Sequence, residues 1–301
     1  MILEKNDFSY KEFIEFIKTA KQVSDIKDYL NQFVPDTLYK YYKLPLKSME
    51  QSKREKRLSI LKKEEVWLSK KAILNDPFEL DLIVINNLNV FEKEYYEDVC
   101  NKNVFFCMTK GYDNKLMWSH YANGHKGYCV EFHKKVAGTI YPVEYIDKRM
   151  NYTKEYHEFL NIRKKADYNI QLQETDELLS WALSGMKCMK ESCWKYEEEY
   201  RMVESTEDGI GKRIKAKDLG LEISKIICGL KCSEADIEDL KQACATINRN
   251  RFYQFQRKQA LSSEETLNYL RKHNKIVQLE KIYCDDNLKL YPKAIPMDTF
   301  G

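Results

Sequence analysis

The sequence predicts an α+β fold: a mixed, mainly antiparallel sheet with an N-terminal helical cap over residues 1–35 and a helical insertion over 150–193. Three observations lead there. From residue 37 onwards, short β-prone runs alternate with amphipathic stretches in the order strand, helix, strand. Residues 150–193 are polar and nearly free of Gly and Pro, a composition that suits helix. Ten Gly and six Pro in 301 residues are too few for a turn-dense β-sandwich. Residues 36–301 then read as a single α+β domain.

Each element has a local reason. Phe8, Phe13, Phe16 and Ile17 recur near a 3.6-residue period, as do Val23, Ile26, Tyr29, Leu30 and Phe33, which predicts two helices closed by Pro35-Asp36. Thr37–Tyr42 is β-prone. Met49–Lys63 is a charged amphipathic helix with Leu58 and Leu61 inward, and Glu65–Ser69 is a second strand. Val104–Met108 is a third strand. Asp113 is the N-cap candidate for a short helix through Tyr121, ended by Gly124 and Gly127. Tyr128–Phe132 and Ile140–Tyr145 follow as strands, and Tyr200–Val203 resumes the sheet after the insertion. Ile223–Leu230 is an apolar strand, Ser233 caps a helix over 234–245, and 276–280 with 282–283 supply late strands.

Composition bounds the function. Lys plus Arg number 50 and Asp plus Glu 47, so the net charge of +3 excludes a whole-chain polycation; contact with nucleic acid must come from a local patch. Thirteen percent aromatic residues is a folding composition, not a disordered one. Nine Cys without a CxxC pair read as reduced thiols in a cytoplasmic protein, and no zinc or other metal is expected. The N-terminus lacks an uncharged apolar core of a signal peptide, and no run reaches the roughly 18 apolar residues of a membrane span.

Four clusters carry candidate chemistry. In Tyr39-Lys40-Tyr41, strand alternation sets Lys40 opposite its two Tyr neighbours; the triplet is either a ligand-facing strand or an ordinary edge. Asn75-Asp76-Pro77-Phe78-Glu79 offers hydrogen-bonding side chains around a proline turn. They suit a ribose, or they satisfy one another in an Asx turn. Trp118 and Tyr121 share a helix face beside His120, which suits stacking on a nucleobase or packing as core. Glu197 and Glu199 lead into a strand and point to one face, framed by Trp194, Tyr196 and Tyr200. Mutual repulsion there raises one pKa, which suits hydrogen bonding to a sugar hydroxyl or a proton relay. GxxxxGK[ST], GxGxxG, HExxH, GxSxG and kinase signatures are all missing.

Taken in order, LYKY, WLS near NDPFE, MWSHY with a following HKG, and CWKYEEEYR resemble the bacterial family catalogued as domain of unknown function 2971, over about residues 37–203. The same parts resemble, more weakly, the ADP-ribosyltransferase fold, in which a first strand carries a polar residue beside an aromatic and a late strand is led by an ExE-type glutamate. That resemblance implies an NAD-dependent ADP-ribosyltransferase with NAD as its substrate. Glu199 would stabilise the positive charge developing at C1′ of the ribose, and Glu197 would orient or deprotonate the acceptor. Tyr39, Tyr41, Trp118 or Tyr121 would stack on nicotinamide or adenine, with Ser69 and His120 also in the cofactor site. Lys40 would face the pyrophosphate, Asn75 and Asp76 a ribose, and Arg201 an acid or a phosphate.

The acceptor is then a macromolecule: RNA, DNA or protein. Lys53, Arg54, Lys56 and Arg57 form one basic run. Arg249, Arg251, Arg257 and Lys258, interleaved with Phe252, Tyr253 and Phe255, form another of a kind that suits single-stranded nucleic acid. The role implied is a bacterial toxin or phage-defence effector with an inhibitory antitoxin or chaperone partner and no membrane. Two other readings stay open: a non-enzymatic nucleotide-sensing or protein-binding module, and a metal-independent nuclease with His120 as base and Lys40 or Arg201 on phosphate.

Overall fold

The computed structural model describes residues 8–20, 22–46, 50–76, 78, 81–135, 140–166, 185, 187–207 and 209–297. The fold is α+β with mainly antiparallel strand pairing, and the chain divides into two compact units. The first comprises Met1–Pro35, Trp67–Cys107 and Ala137–Lys212, and the second Asp36–Val66, Met108–Val136 and Arg213–Gly301. Met1–Pro35 groups with two later stretches of the chain, and residues 36–301 contribute to both units.

In the first unit, Tyr10–Thr19 and Val23–Asn31 are the expected helical pair. The buried stripe of the first helix is Tyr10, Phe13, Ile14 and Ile17, an i, i+3, i+4, i+7 pattern, while Phe16 stacks on Tyr29 with ring centroids 4.4 Å apart. Phe13 meets the Tyr141 ring edge-on at 6.2 Å, which docks the pair against the short strand Ile140–Pro142. That strand runs antiparallel to Glu199–Ser205, with Arg201 opposite Tyr141. Glu199–Ser205 also pairs with Asn103–Thr109, which in turn carries Ser69 of Glu65–Ser69 opposite Phe105. Two short parallel pairs complete the unit: Ile83–Val84 with Met150–Asn151, and Glu144–Ile146 with Met189–Glu191.

The expected helical insertion is helical only in part. Thr153–Ala166 is helix, but strands Met150–Asn151 and Met189–Glu191 fall inside 150–193, and a 3-10 turn, Ser192–Glu197, begins there. Two- and three-residue strands leave no period-2 signature, so composition alone reads them as helix. Residues 167–184 lie outside the described residues.

The second unit is built on the strands Thr37–Tyr42, Tyr128–Lys134, Leu221–Cys228, Gln278–Cys284 and Leu290–Ala294, side by side in that order. All neighbours are antiparallel except Leu221–Cys228 with Gln278–Cys284. A parallel pair needs a long crossover, and the helices Glu234–Gln259 and Ser263–Lys272 supply it. The first of these helices runs well past the expected end at 245. Its buried residues stop at Asn248, so the apolar stripe ends there while helix-favouring Arg, Gln and Lys carry the backbone on. Ala260 in the left-handed region then ends it, and a capping box at Ser262 and Glu265 starts the next. The short helix is Lys115–Tyr121, and its cap is Asn114 rather than Asp113: the Asn114 carboxamide oxygen accepts from Leu116 N at 2.9 Å and Met117 N at 3.3 Å.

Two glycines join strand ends tightly in this unit. A Cβ on Gly127 would lie 2.1 Å from the Tyr42 carbonyl oxygen, and one on Gly229 would lie 2.2 Å from that of His125. Gly229 N donates to Gly127 O at 2.9 Å, so only a bare backbone allows this approach. Among the described residues, no helix is long and apolar enough to cross a membrane. None of the nine cysteines is in a disulfide.

Candidate functional site

The acidic motif is shaped by its backbone. Glu197 ends the 3-10 turn, Glu198 takes the left-handed conformation at φ 42°, and Glu199 opens the strand. The kink sends Glu198 into solvent and turns Glu197 and Glu199 inward, so the two acids converge by a turn and not by strand alternation. Both bind one ammonium group: Lys190 Nζ donates to Glu197 Oε2 at 2.7 Å and to Glu199 Oε2 at 3.0 Å. Arg201 grips Glu199 side-on, Nε to Oε1 at 2.8 Å and Nη2 to Oε2 at 3.0 Å, and its Nη1 donates to the Lys187 carbonyl at 2.9 Å. Tyr145 Oη accepts the Glu199 backbone N–H at 2.8 Å.

This network is buried. Glu197, Glu199, Lys190 and Arg201 are 3, 6, 3 and 0% exposed, so two acids and two bases are charge-balanced in a low dielectric. Burial on its own raises the Glu199 pKa. It is outweighed by the charges of Arg201 and Lys190 and by hydrogen bonds from Arg201 and Cys107, which hold the carboxyl well below the usual carboxylate range. The expectation that repulsion between the two acids raises a pKa is therefore corrected for Glu199: cations stand between the carboxylates. Arg201 takes the acid-pairing role, not the phosphate role, because a fully buried guanidinium is out of reach of a phosphate. That removes it from the nuclease reading.

A cavity of about 1220 Å³ opens in the same unit. Asn75 and Asp76 line it with Lys70, Lys71, Arg149 and Lys187. Asp76 is buried and its Oδ1 accepts the Phe78 N–H at 2.9 Å, so part of this turn is self-satisfied; Pro77 and Glu79 lie outside the described residues. Lys187 links wall and network, since its backbone carbonyl holds Arg201 while the residue itself lines the cavity. Burial lowers the Lys187 pKa, opposed by the nearby Cys100 thiol. Ser69 is half-buried at the end of its strand.

The remaining expected residues belong to the second unit. Tyr39 Oη donates to Glu131 Oε2 at 3.0 Å. Burial and that carboxylate push the phenol pKa far up, which keeps it a donor. Glu131, 4% exposed, also accepts from Ser224 Oγ at 2.7 Å and faces His133 at 3.3 Å and Lys225 at 3.6 Å. A bulge between Ile223 and Lys225 aims Ser224 there. Lys40 lies on the opposite face, its ammonium 5.9 Å from the Tyr42 ring centroid. Tyr41 donates to the Gly111 carbonyl at 3.0 Å and packs edge-on against Trp118.

Trp118 is core. It is fully buried, its Nε1 donates to the Tyr112 carbonyl at 2.6 Å, and its ring is covered by Tyr41 and His125. It presents no surface to a base, which corrects its expected stacking role. His120 is exposed, 6.5 Å ring to ring from the half-buried Tyr121. The histidine with unusual surroundings is His125. It sits at φ 70°, Nδ1 is buried with no hydrogen-bond partner among the described residues, and burial with the nearby Lys231 lowers its pKa. Arg54, from the first basic run, is 1% exposed and bound to Asp236 and Asp239 at 2.8 and 2.6 Å, so it is a structural clamp.

Sequence reasoning missed Lys187, Lys190, Tyr145 and Glu131. Two lysines three apart just before the CWKYEEEYR motif were the one available signal for the first pair. Among the described residues, no three His, Cys, Asp or Glu side chains gather as a metal-binding group.

No curated protein matches the chain. No solved structure matches it either. Met117 and Trp118 of the short helix, the strand Tyr128–Lys134 and the Glu197–Glu199 turn fall within one matched stretch: residues 117–202 match the family described as Protein of unknown function (DUF2971).

Proposed function

We propose that the protein is an NAD-dependent ADP-ribosyltransferase acting on a macromolecule, with NAD held in the cavity of the first unit. The observation that carries this reading is the link from the cavity wall to the acidic pair: Lys187 lines the cavity with Asn75 and Asp76, and its carbonyl holds the Arg201 that holds Glu199. A volume of about 1220 Å³ exceeds the roughly 300–1,000 Å³ of ordinary small-molecule pockets, in keeping with a dinucleotide. The wall cations suit a pyrophosphate, and the Asn75 and Asp76 side chains suit ribose hydroxyls.

Cleavage of NAD builds positive charge at C1′ of the ribose as nicotinamide leaves. An ionised acid close to that ribose stabilises the transition state more than the ground state. Glu199 has the required charge. To accept a ribose hydroxyl, its Oε2 exchanges one of the two donors it now holds, Lys190 Nζ or Arg201 Nη2. The biological role that fits is a toxin or antiviral effector restrained by an inhibitory protein.

One observation favours a second reading. Both Glu199 oxygens already carry cationic donors in a buried site, as in a structural ion network, so the chain would bind a nucleotide without turning it over. Incubating the purified protein with labelled NAD and cell extract separates the two. Transfer of label to a nuclease- or protease-sensitive fraction supports the transferase. NAD recovered intact from a stable complex supports the binding module.

A further inference from the structure

A second cleft, of about 480 Å³, lies wholly within the second unit, and nothing in the proposed reaction uses it. It is strongly cationic: seven Lys and Arg line it against two acids, Glu64 and Glu222. Both acids are already engaged. Lys135 and Lys275 reach Glu222 at 2.8 and 2.7 Å, Arg251 stands 4.0 Å from it, and Arg251 also pairs with Glu64. Burial raises the Glu222 pKa, but these cations outweigh it and keep the carboxylate ionised.

Arg251 is further pinned by the carbonyls of Lys275 at 2.8 Å and Ile223 at 2.9 Å, so the floor of the cleft is rigid. Three of the lining cations, Lys63, Lys217 and Lys258, are exposed and make no ion pair among the described residues. They surround the cleft from three different elements: the end of the Gln51–Lys62 helix, the 3-10 turn Ala216–Leu219 and the end of the Glu234–Gln259 helix. Converging lysines that the protein leaves unneutralised present donors to an anion. The apolar wall is aromatic: Phe255 stacks on Tyr269 with centroids 4.2 Å apart, and Tyr269 is 38% exposed.

We infer that this cleft binds a nucleotide, with phosphate against Lys63, Lys217 and Lys258 and the base against the Phe255–Tyr269 stack. Cationic donors beside an exposed aromatic are the pairing that phosphate and base together require. The volume lies within the range of small-ligand pockets. The nucleotide comes either free or as one unit of a single strand, and the site is independent of the proposed NAD cavity, which belongs to the first unit.

The test uses the full chain and two probes: ATP by calorimetry, and a fluorescein-labelled single-stranded oligothymidylate of 12 nucleotides by anisotropy. The double variant Lys217→Glu/Lys258→Glu is expected to weaken at least one probe tenfold or more, and Lys217→Arg/Lys258→Arg to retain it. Tight strand binding with a salt dependence that flattens in the reversal variant identifies a strand; ATP binding alone identifies a free nucleotide. Both substituted side chains are exposed, and an unchanged melting temperature confirms folding. Failure of both probes to bind would overturn the inference. So would binding indifferent to the double reversal, or an equal loss in Lys154→Glu on the other unit. Inorganic triphosphate competing as well as ATP would remove the base contact.

Discussion

Arg201 and Glu199 meet side-on in a buried two-bond pair, Nε to Oε1 at 2.8 Å and Nη2 to Oε2 at 3.0 Å, two residues apart on one strand. Side chains two apart share a strand face, so the EYR sequence places acid and base together by itself. Lys190 then arrives from the short strand Met189–Glu191 to balance the second acid. Removing one member strands the others without compensation. Arg201→Met is expected to destabilise the protein by about 3–5 kcal/mol, read as a lowered urea midpoint. A loss under 1 kcal/mol would mean that the pair is not closed in solution.

The depressed pKa of Glu199 also fixes a sign for pH dependence. Its folded pKa lies below its unfolded value, so its stabilisation is complete above the ordinary carboxylate pKa of about 4 and is lost as pH falls from there toward the folded value. The urea midpoint of the wild type should therefore drop more steeply between pH 5 and 3 than that of Glu199→Gln. Parallel curves would contradict this.

Gly127→Ala and Gly229→Ala force a methyl group onto a neighbouring carbonyl, at 2.1 and 2.2 Å. Each is expected to lower stability by about 1–3 kcal/mol or more. Gly124→Ala provides the contrast: φ is 62° but the space is open, so the cost is about 1 kcal/mol, from backbone strain alone. Thermal unfolding of the three variants should rank them in that order.

Asn114 holds two N–H groups of the helix that carries Trp118. Asn114→Ala should cost about 1 kcal/mol, and Asp113→Ala much less, which reverses the ranking expected from sequence.

Much of this was legible in the chain. The β-branched and aromatic runs at 37–42 and 65–69 became strands because both local propensity and burial favour extension there. The inward convergence of Glu197 and Glu199 was also legible, although its cause was not: a left-handed Glu198 has no sequence signature. Lys190 was hidden because its neighbours in space are set by a 3-10 turn, and the choice for Trp118 between stacking on a base and packing as core stayed open because a helix face does not say which side is solvent. The helix beyond residue 245 was hidden for a related reason. Once a helix leaves the core its apolar period stops, and only propensity continues.

Whether Glu199 acts on the ribose is decided by nicotinamide release from NAD by the purified protein and by Glu199→Gln, with Glu197→Gln beside it and melting temperatures for all three. A transferase with this acid releases nicotinamide as the wild type and loses about 100-fold or more in kcat in folded Glu199→Gln, the scale of losing one electrostatic contact to the transition state. NAD left intact by the wild type, or turned over at an unchanged rate by Glu199→Gln, would contradict it.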